Sequence, residues 1–321
     1  MSIYVESPGM QTTVQDYGRT GYQKFGISPA GPMDTRSFAI ANILVGNTNG
    51  EAGLEAAFTG PTLRFNQDNV ICVTGGDLQP RLNGQKLPMY QAVSVKAGDK
   101  LSFKGMNGHG CRAYIAFAGG LDVPVVMGSR STLMKNSIGG LEGRNLKTGD
   151  QIGFLKPVSE YPDMDERNAW PEKFGAKTIT LRVLPGPQDF EFTRDDQLDF
   201  YWFDAEITND FDRMGARLRI QHPLKGLHDG NIISDGIAFG SIQVPTNGQP
   251  IIMMADRQGI GGYAKIGTVI STDLPLLAQS MPGTRIHFIK MDIRTTHNVY
   301  HRAMEELIDL NQQLNGTRNF Q

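Results

Sequence analysis

From Leu54 to Phe154 the sequence reads strand, turn, strand: short apolar runs such as NVICVTGG (69–76) and CRAYIAFAGG (111–120) alternate with Gly-, Pro- and Asn-bearing breaks. Asn83-Gly84 is a hairpin signal, because both residues tolerate the positive φ of a two-residue turn whose twist matches its strands. Ala97-Gly98-Asp99 reads as another turn. The pattern restarts at 178–184 (TITLRVL) and runs on through SIQVPTNGQPIIMMAD, with Asn247-Gly248 as a second hairpin turn. So many short strands would leave many exposed edges, and closing the sheet removes them. The expectation is a mainly β protein built on closed or nearly closed barrels, with a few short helices.

At 321 residues the chain exceeds the length over which one hydrophobic core keeps growing, so two domains are expected. The stretch 156–177 carries three prolines, mixed charge and no periodicity, which marks a linker or a strap. The expected division is therefore residues 1–160, a linker at 161–177, and residues 178–321. A second sign of two halves is a repeat. Gly18-x-x-Gly21-Tyr22-x-Lys24-Phe25-Gly26 returns as Gly259-x-x-Gly262-Tyr263-x-Lys265-Ile266-Gly267, each copy leading to an aspartate, Asp34 or Asp273, that can start a helix. Glycines so spaced permit positive φ and close backbone approach, so one loop design is expected twice. The copies stand early in one half and late in the other, which implies circular permutation or an exchanged segment.

Helices are few. Met33 and Phe38 stand where a hydrophobic staple would flank an Asp34 N-cap. Thr193 can cap a short helix through Leu198 and Trp202. Residues 296–315 read as an amphipathic helix with Val299, Met304, Leu307 and Leu310 or Ile308 inward.

The formal net charge of −2 offers no polybasic field for nucleic acid or an anionic membrane, and no run approaches the roughly 20 apolar residues of a membrane helix. The two cysteines, Cys72 and Cys111, lie in strand-like runs without metal-ligand spacing, as buried free thiols in a reducing cytoplasm would. Leu146-Lys147-Thr148 lacks the glycine of a phosphate loop, and no Gly-x-Ser-x-Gly elbow occurs. His297 and His301 are spaced for two metal ligands but have no evident third, and no metal is expected.

What remains is a set of polar residues in glycine-rich loops: Arg19, Arg130, Arg144, Asp235, and the run Asp256-Arg257-Gln258 with Tyr263. Gln reads both halves of an amide and Arg pairs with an oxyanion. Each has a structural alternative. Arg130 could tie loop carbonyls, Asp256 could pair with Arg213 or Arg217, and Asp34 could simply cap its helix.

Taken in order, VQDYGRTGYQKFGISPAGPMD, the run 46–55, AGGLDVP, GSRST, LEGRNLKTGD, NDFDRMGARL, SDGIAFGSIQVPTNGQPIIMMADRQ and GGYAKIGTVISTDLPLLAQ resemble the allophanate hydrolase subunit 2 family, also known as KipA or as the 5-oxoprolinase C subunit, over nearly the whole chain. The resemblance implies two cyclophilin-like β-barrel domains. It also implies partners, the A subunit of the oxoprolinase and its KipI-like B subunit, which with this chain open 5-oxo-L-proline to L-glutamate at the expense of ATP. Related segments serve as the carboxyltransferase part of biotin-dependent urea carboxylase, and a regulatory role as antagonist of a kinase inhibitor is a further alternative. Under the lactam-opening expectation, Asp256 and Gln258 act on the amide, Arg130 or Arg19 takes the carboxylate, and Tyr17, Met33 and Tyr263 form walls.

Overall fold

The structure, a computed structural model, describes residues 2–48, 50–227 and 230–319. The chain divides into two compact units, and each draws a segment from the far side of the expected boundary. The first comprises the stretch ending at Arg19, Ala30–Gly175 and the residues from Met304; the second comprises Thr20–Pro29 and Ala176–Ala303.

In the first unit two sheets enclose the core. The seven-stranded sheet runs, in order, Leu121–Asp122, Gln151–Phe154, Ser2–Ser7, Thr62–Phe65, Lys100–Phe103, Pro80–Leu82 and Gln85–Lys86. The five-stranded sheet runs Gln11–Gln15, Gly53–Ala57, Arg112–Phe117, Asn69–Gly75 and Ala92–Val95. Alternation assigns the faces. The row Val14, Leu54, Ile115, Val73 is in register across the smaller sheet and meets Ile3, Val5, Leu63 and Phe65 of the larger. The opposite row, with Cys72 level with Ala116 and Ala92, packs against helix α1 (Thr35–Leu44). Strand Asn69–Gly75 is thus buried at every position, which is why its sequence shows no polar alternation. Cys72 and Cys111 are both buried and unbridged.

Asp34 does cap α1: its carboxylate accepts from Ser37 N at 2.9 Å and from Ser37 Oγ at 2.7 Å. Asp34 is fully buried, so Asp34→Ala is expected to cost about 1–2 kcal/mol, the upper part of the range for a lost cap, measured as a shift in the urea midpoint at unchanged slope.

Three features correct the division at 161–177. The proline-rich stretch belongs to the first unit as a strap: the Tyr161 hydroxyl donates to Val45 O at 2.9 Å, Ala169 N to Tyr90 O at 2.9 Å, and buried Arg167 donates to Leu44 O at 3.3 Å and Leu314 O at 3.0 Å. The end of the chain belongs there too, because Leu307 and Leu314 join the cluster of Ile40, Ile43 and Val70. Conversely, Thr20–Pro29 belongs to the second unit, where Ser28 Oγ donates to Arg257 O at 2.5 Å.

The second unit is a closed barrel ordered Thr178–Pro185, Lys265–Val269, Ser241–Gln243, Ile251–Met253, Gly215–Arg219, Ala205–Phe211 and Arg285–Lys290, the last closing in parallel on the first. Its interior is filled by Leu181, Val183, Ile207, Ile242, Ile252 and Ile286, all fully buried. Helix α2 (Arg194–Trp202) starts at the expected Thr193, with Asp196 completing a capping box, and its Phe200 stacks on Phe288 at 4.5 Å. Helix α3 (Leu274–Ala278) follows Asp273, but Arg182 engages that carboxylate, so it makes no side-chain cap. Helix α4 (Ile293–Asn315) begins three residues before the expected start at 296. Outside the barrel, Asn231–Gly236 and Ile260–Tyr263 form a two-stranded ribbon.

The two motif copies adopt different structures, against the expectation of one loop design. In the first, Gly18, Gly21 and Gly26 have φ of 87°, 88° and 79° around a 3-10 turn, Gln23–Phe25. The second forms strands, and none of its glycines has positive φ. The lysines differ likewise: Lys24 is exposed over the Phe25 ring at 5.1 Å, whereas Lys265 is 2% exposed and ion-paired with Asp235 at 2.9 Å. Equal letters gave unequal structures because in the second copy neighbouring barrel strands supply ladder partners.

Candidate functional site

A cleft of about 1250 Å³ lies against the outer face of the second unit's barrel. Strand register explains its floor. Ala216, Ile252 and Ile242 are level across three strands and point into the barrel core, so the next row, Arg217, Ile251 and Gln243, points outward. All three of these outward residues line the cleft, and its rim carries Gln258 and, from the ribbon, Tyr263.

Several polar groups around this cleft are already engaged. Arg219 pairs with Glu206 at 2.7 Å, Gln249 exchanges hydrogen bonds with the backbone of Ile220, and Asp212 accepts from Met214 N at 2.7 Å. Two groups stand out. Gln243 is 1% exposed, yet its Nε2 has no hydrogen-bond partner; a Cβ at Gly261 of the ribbon would lie 2.6 Å from that nitrogen. Arg217 is exposed, and among the described residues no carboxylate lies within ion-pair distance of it.

Of the residues singled out by sequence, Gln258 and Tyr263 line this cleft, and Asp256 does not. Asp256 is held by Arg213, whose Nη2 and Nε reach its two carboxylate oxygens at 2.8 and 3.0 Å, with both side chains buried. This is the ion-pair alternative, and it holds the turn between strands Ile251–Met253 and Ile260–Tyr263 in which Gln258 also lies. Arg257 is also buried, donating to Ile237 O and Met254 O; burial lowers its pKa to about 10, partly offset by Asp256.

Tyr17, Arg19, Met33 and Arg130 belong to the first unit. Tyr17 meets Phe38 edge-on at 5.4 Å, and burial, then the Glu51 charge, pushes its hydroxyl pKa upward. Met33 is fully buried, its N–H donating to Glu55 Oε2 at 2.8 Å. Arg19, also fully buried, donates to Ser131 O. Arg130 donates from Nε to Val123 O at 3.0 Å, a loop tie. The organiser of this region escaped sequence reasoning: the Asp16 carboxylate accepts from Ser129 Oγ at 2.5 Å, Ser131 Oγ at 2.7 Å and Gly18 N at 2.9 Å. Gln243 and Arg217 escaped it as functional candidates too, because nothing in the short strand Ser241–Gln243 sets Gln243 apart from the equally polar Ser241.

Among the described residues no group of three His, Cys, Asp or Glu side chains could hold a metal ion, and no helix is long and apolar enough to cross a membrane.

Comparison with known proteins finds a match to the family model described as "carboxyltransferase domain, subdomain A and B" over residues 25–290. The sequence is 40% identical to the 5-oxoprolinase C subunit of Escherichia coli over 285 residues, covering 89% of this chain and 90% of that protein. It is 32% identical to urea amidolyase of Saccharomyces cerevisiae, covering 99% of this chain but 18% of that protein. The crystal structure of Kluyveromyces lactis urea amidolyase superposes with a TM-score of 0.88 at 30% identity, over 96% of this chain and 20% of that one.

Proposed function

The chain belongs to the carboxyltransferase-domain family, subdomains A and B, and from that premise we propose that it is the C subunit of an ATP-dependent 5-oxoprolinase that opens 5-oxo-L-proline to L-glutamate. The observation that carries the reading is the 40% identity to the Escherichia coli protein of that name, across about nine-tenths of both sequences. The cleft adds chemical support, because Gln258 and Gln243 offer amide side chains to a substrate whose reacting group is itself an amide.

A lactam is a resonance-stabilised amide, and its hydrolysis at neutral pH needs activation of the carbonyl and a fixed geometry for the attacking water. The chain has no Gly-Lys-Ser/Thr loop, so nucleotide binding is assigned to its partners, the A subunit of the oxoprolinase and its KipI-like B subunit. This chain's share is then to hold the lactam and its carboxylate and to exclude bulk water once a partner covers the cleft. The two unbridged thiols suit work in the cytoplasm.

The deciding experiment is reconstitution with both partners and measurement of glutamate released from 5-oxo-L-proline. No release from a properly assembled complex would overturn the reading. In an active complex, Gln258→Ala is expected to lower kcat/KM about 100-fold, as for loss of one hydrogen bond at the reacting carbonyl, while the variant's thermal midpoint stays near that of the parent.

A second reading, carboxyl transfer from biotin to a urea-like acceptor, is favoured by the superposition on urea amidolyase. The ureido ring of biotin presents the same N–C=O edge, and an amide-lined cleft suits it; urea, however, leaves Arg217 with no group to answer. Bicarbonate-dependent ATP turnover stimulated by urea would select this reading.

A further inference from the structure

We propose that Arg217, Ile251 and Gln243 form one binding row for a small carboxylate that also carries an amide or lactam. Arg217 takes the carboxylate, Ile251 the methylene face, and Gln243 the N–C=O edge. The inference rests on the lactam-opening reading and names the residues that would read the substrate, in place of the arginines Arg19 and Arg130 of the first unit.

Three observations converge. The first is register: Arg217 and Gln243 are each level with Ile251 on adjacent strands, so the three side chains leave the same face of the sheet. Neighbouring strands are about 4.8 Å apart, which puts the outer two Cα atoms roughly 10 Å from each other with the half-buried Ile251 between. A guanidinium and a carboxamide reaching inward from those positions span a carboxylate and an amide borne on one small ring.

The second is the state of Gln243. Its Nε2 is buried without a partner, although the residue lines the cleft. Leaving a buried donor unsatisfied is costly, so a carboxamide held this way is disfavoured on stability grounds alone. Turning the amide about its last torsion exchanges its nitrogen and oxygen, so the group can offer either a donor or an acceptor.

The third is the contrast among neighbouring arginines. Arg213 and Arg219 on the same stretch have carboxylate partners at 2.8 and 2.7 Å. Arg217, which lines the cleft, has none among the described residues. A planar guanidinium without an internal partner matches a carboxylate in two-point geometry.

The test is calorimetric titration of the full chain, alone and assembled with its partners, using three probes. These are 5-oxo-L-proline, 2-pyrrolidinone, which lacks the carboxylate, and cyclopentanecarboxylate, which lacks the amide. The parent is expected to bind 5-oxo-L-proline at least about tenfold more tightly than either truncated probe. Arg217→Ala should abolish the advantage over 2-pyrrolidinone while leaving 2-pyrrolidinone binding unchanged. Gln243→Met, similar in shape but without the amide, should abolish the advantage over cyclopentanecarboxylate, and its thermal midpoint should not fall below the parent's. Absence of these preferences in both chain and complex, or variants that bind like the parent, overturns the proposal. Turnover separates the two ideas. A complex that releases no glutamate yet shows this binding pattern sinks the lactam-opening reading and leaves the row standing. One that releases glutamate with unchanged KM in both variants does the reverse.

Discussion

Replacing Asp256 with Ala is expected to destabilise the second unit by about 3–5 kcal/mol, because it removes a carboxylate that meets two nitrogens of the buried Arg213 guanidinium. The magnitude follows from burial: the side chains of Asp256 and Arg213 are 6% and 5% exposed, and two nitrogens of the one meet both oxygens of the other. An exposed pair of the same geometry would contribute at most about 1 kcal/mol. The check is urea unfolding of Asp256→Ala beside the double variant Asp256→Leu/Arg213→Met, which removes both charges and is expected to recover most of the loss. A single variant with parental stability that nonetheless stops turnover in the assembled complex would return Asp256 to the chemistry, where the sequence alone had placed it.

Gly267→Ala is the second large effect, expected at about 3 kcal/mol, the upper end for overpacking a filled core. Gly267 is level with Ile242 across the barrel ladder, and the added Cβ would sit 2.3 Å from Val183 Cγ1 and 3.1 Å from Leu184 O. Val183 is fully buried and held on its own strand, so relief requires the strands to part. The matching glycine of the first copy, Gly26, gives the control. It has φ of 79° and nothing within 4 Å of where an added Cβ would sit, so Gly26→Ala carries only the left-handed backbone penalty, about 1–2 kcal/mol. Equal unfolding midpoints for the two variants would contradict the different structural roles assigned to the copies.

That contrast also shows where sequence reading stopped. The Gly-Tyr-Lys-Gly repeat was visible, but its meaning was not: a glycine is compatible with a left-handed turn and with a crowded strand, and only the neighbours decide which. Asp34 and Asp273 teach the same lesson. Both precede helices, yet Asp34 caps α1 through Ser37, whereas Arg182 draws the Asp273 carboxylate away. For the candidate site, sequence pointed to Gln258 and Tyr263, which line the cleft. It missed Gln243 and Arg217, because their importance lies in what fails to pair with them.

Short apolar runs between Gly-, Pro- and Asn-bearing breaks, turn chemistry at Asn83-Gly84 and Asn247-Gly248, and the capping residues Asp34 and Thr193 determined by themselves that this chain is mainly β with short helices, since each depends only on residues close in sequence. Tertiary structure alone decided that Thr20–Pro29 joins the second unit and the end of α4 the first, that Asp256 pairs with Arg213, and that Arg217 and Gln243 flank Ile251. Those outcomes depend on which strands become neighbours, and strand order is set by the burial of whole sheets, information that no local stretch of the chain contains.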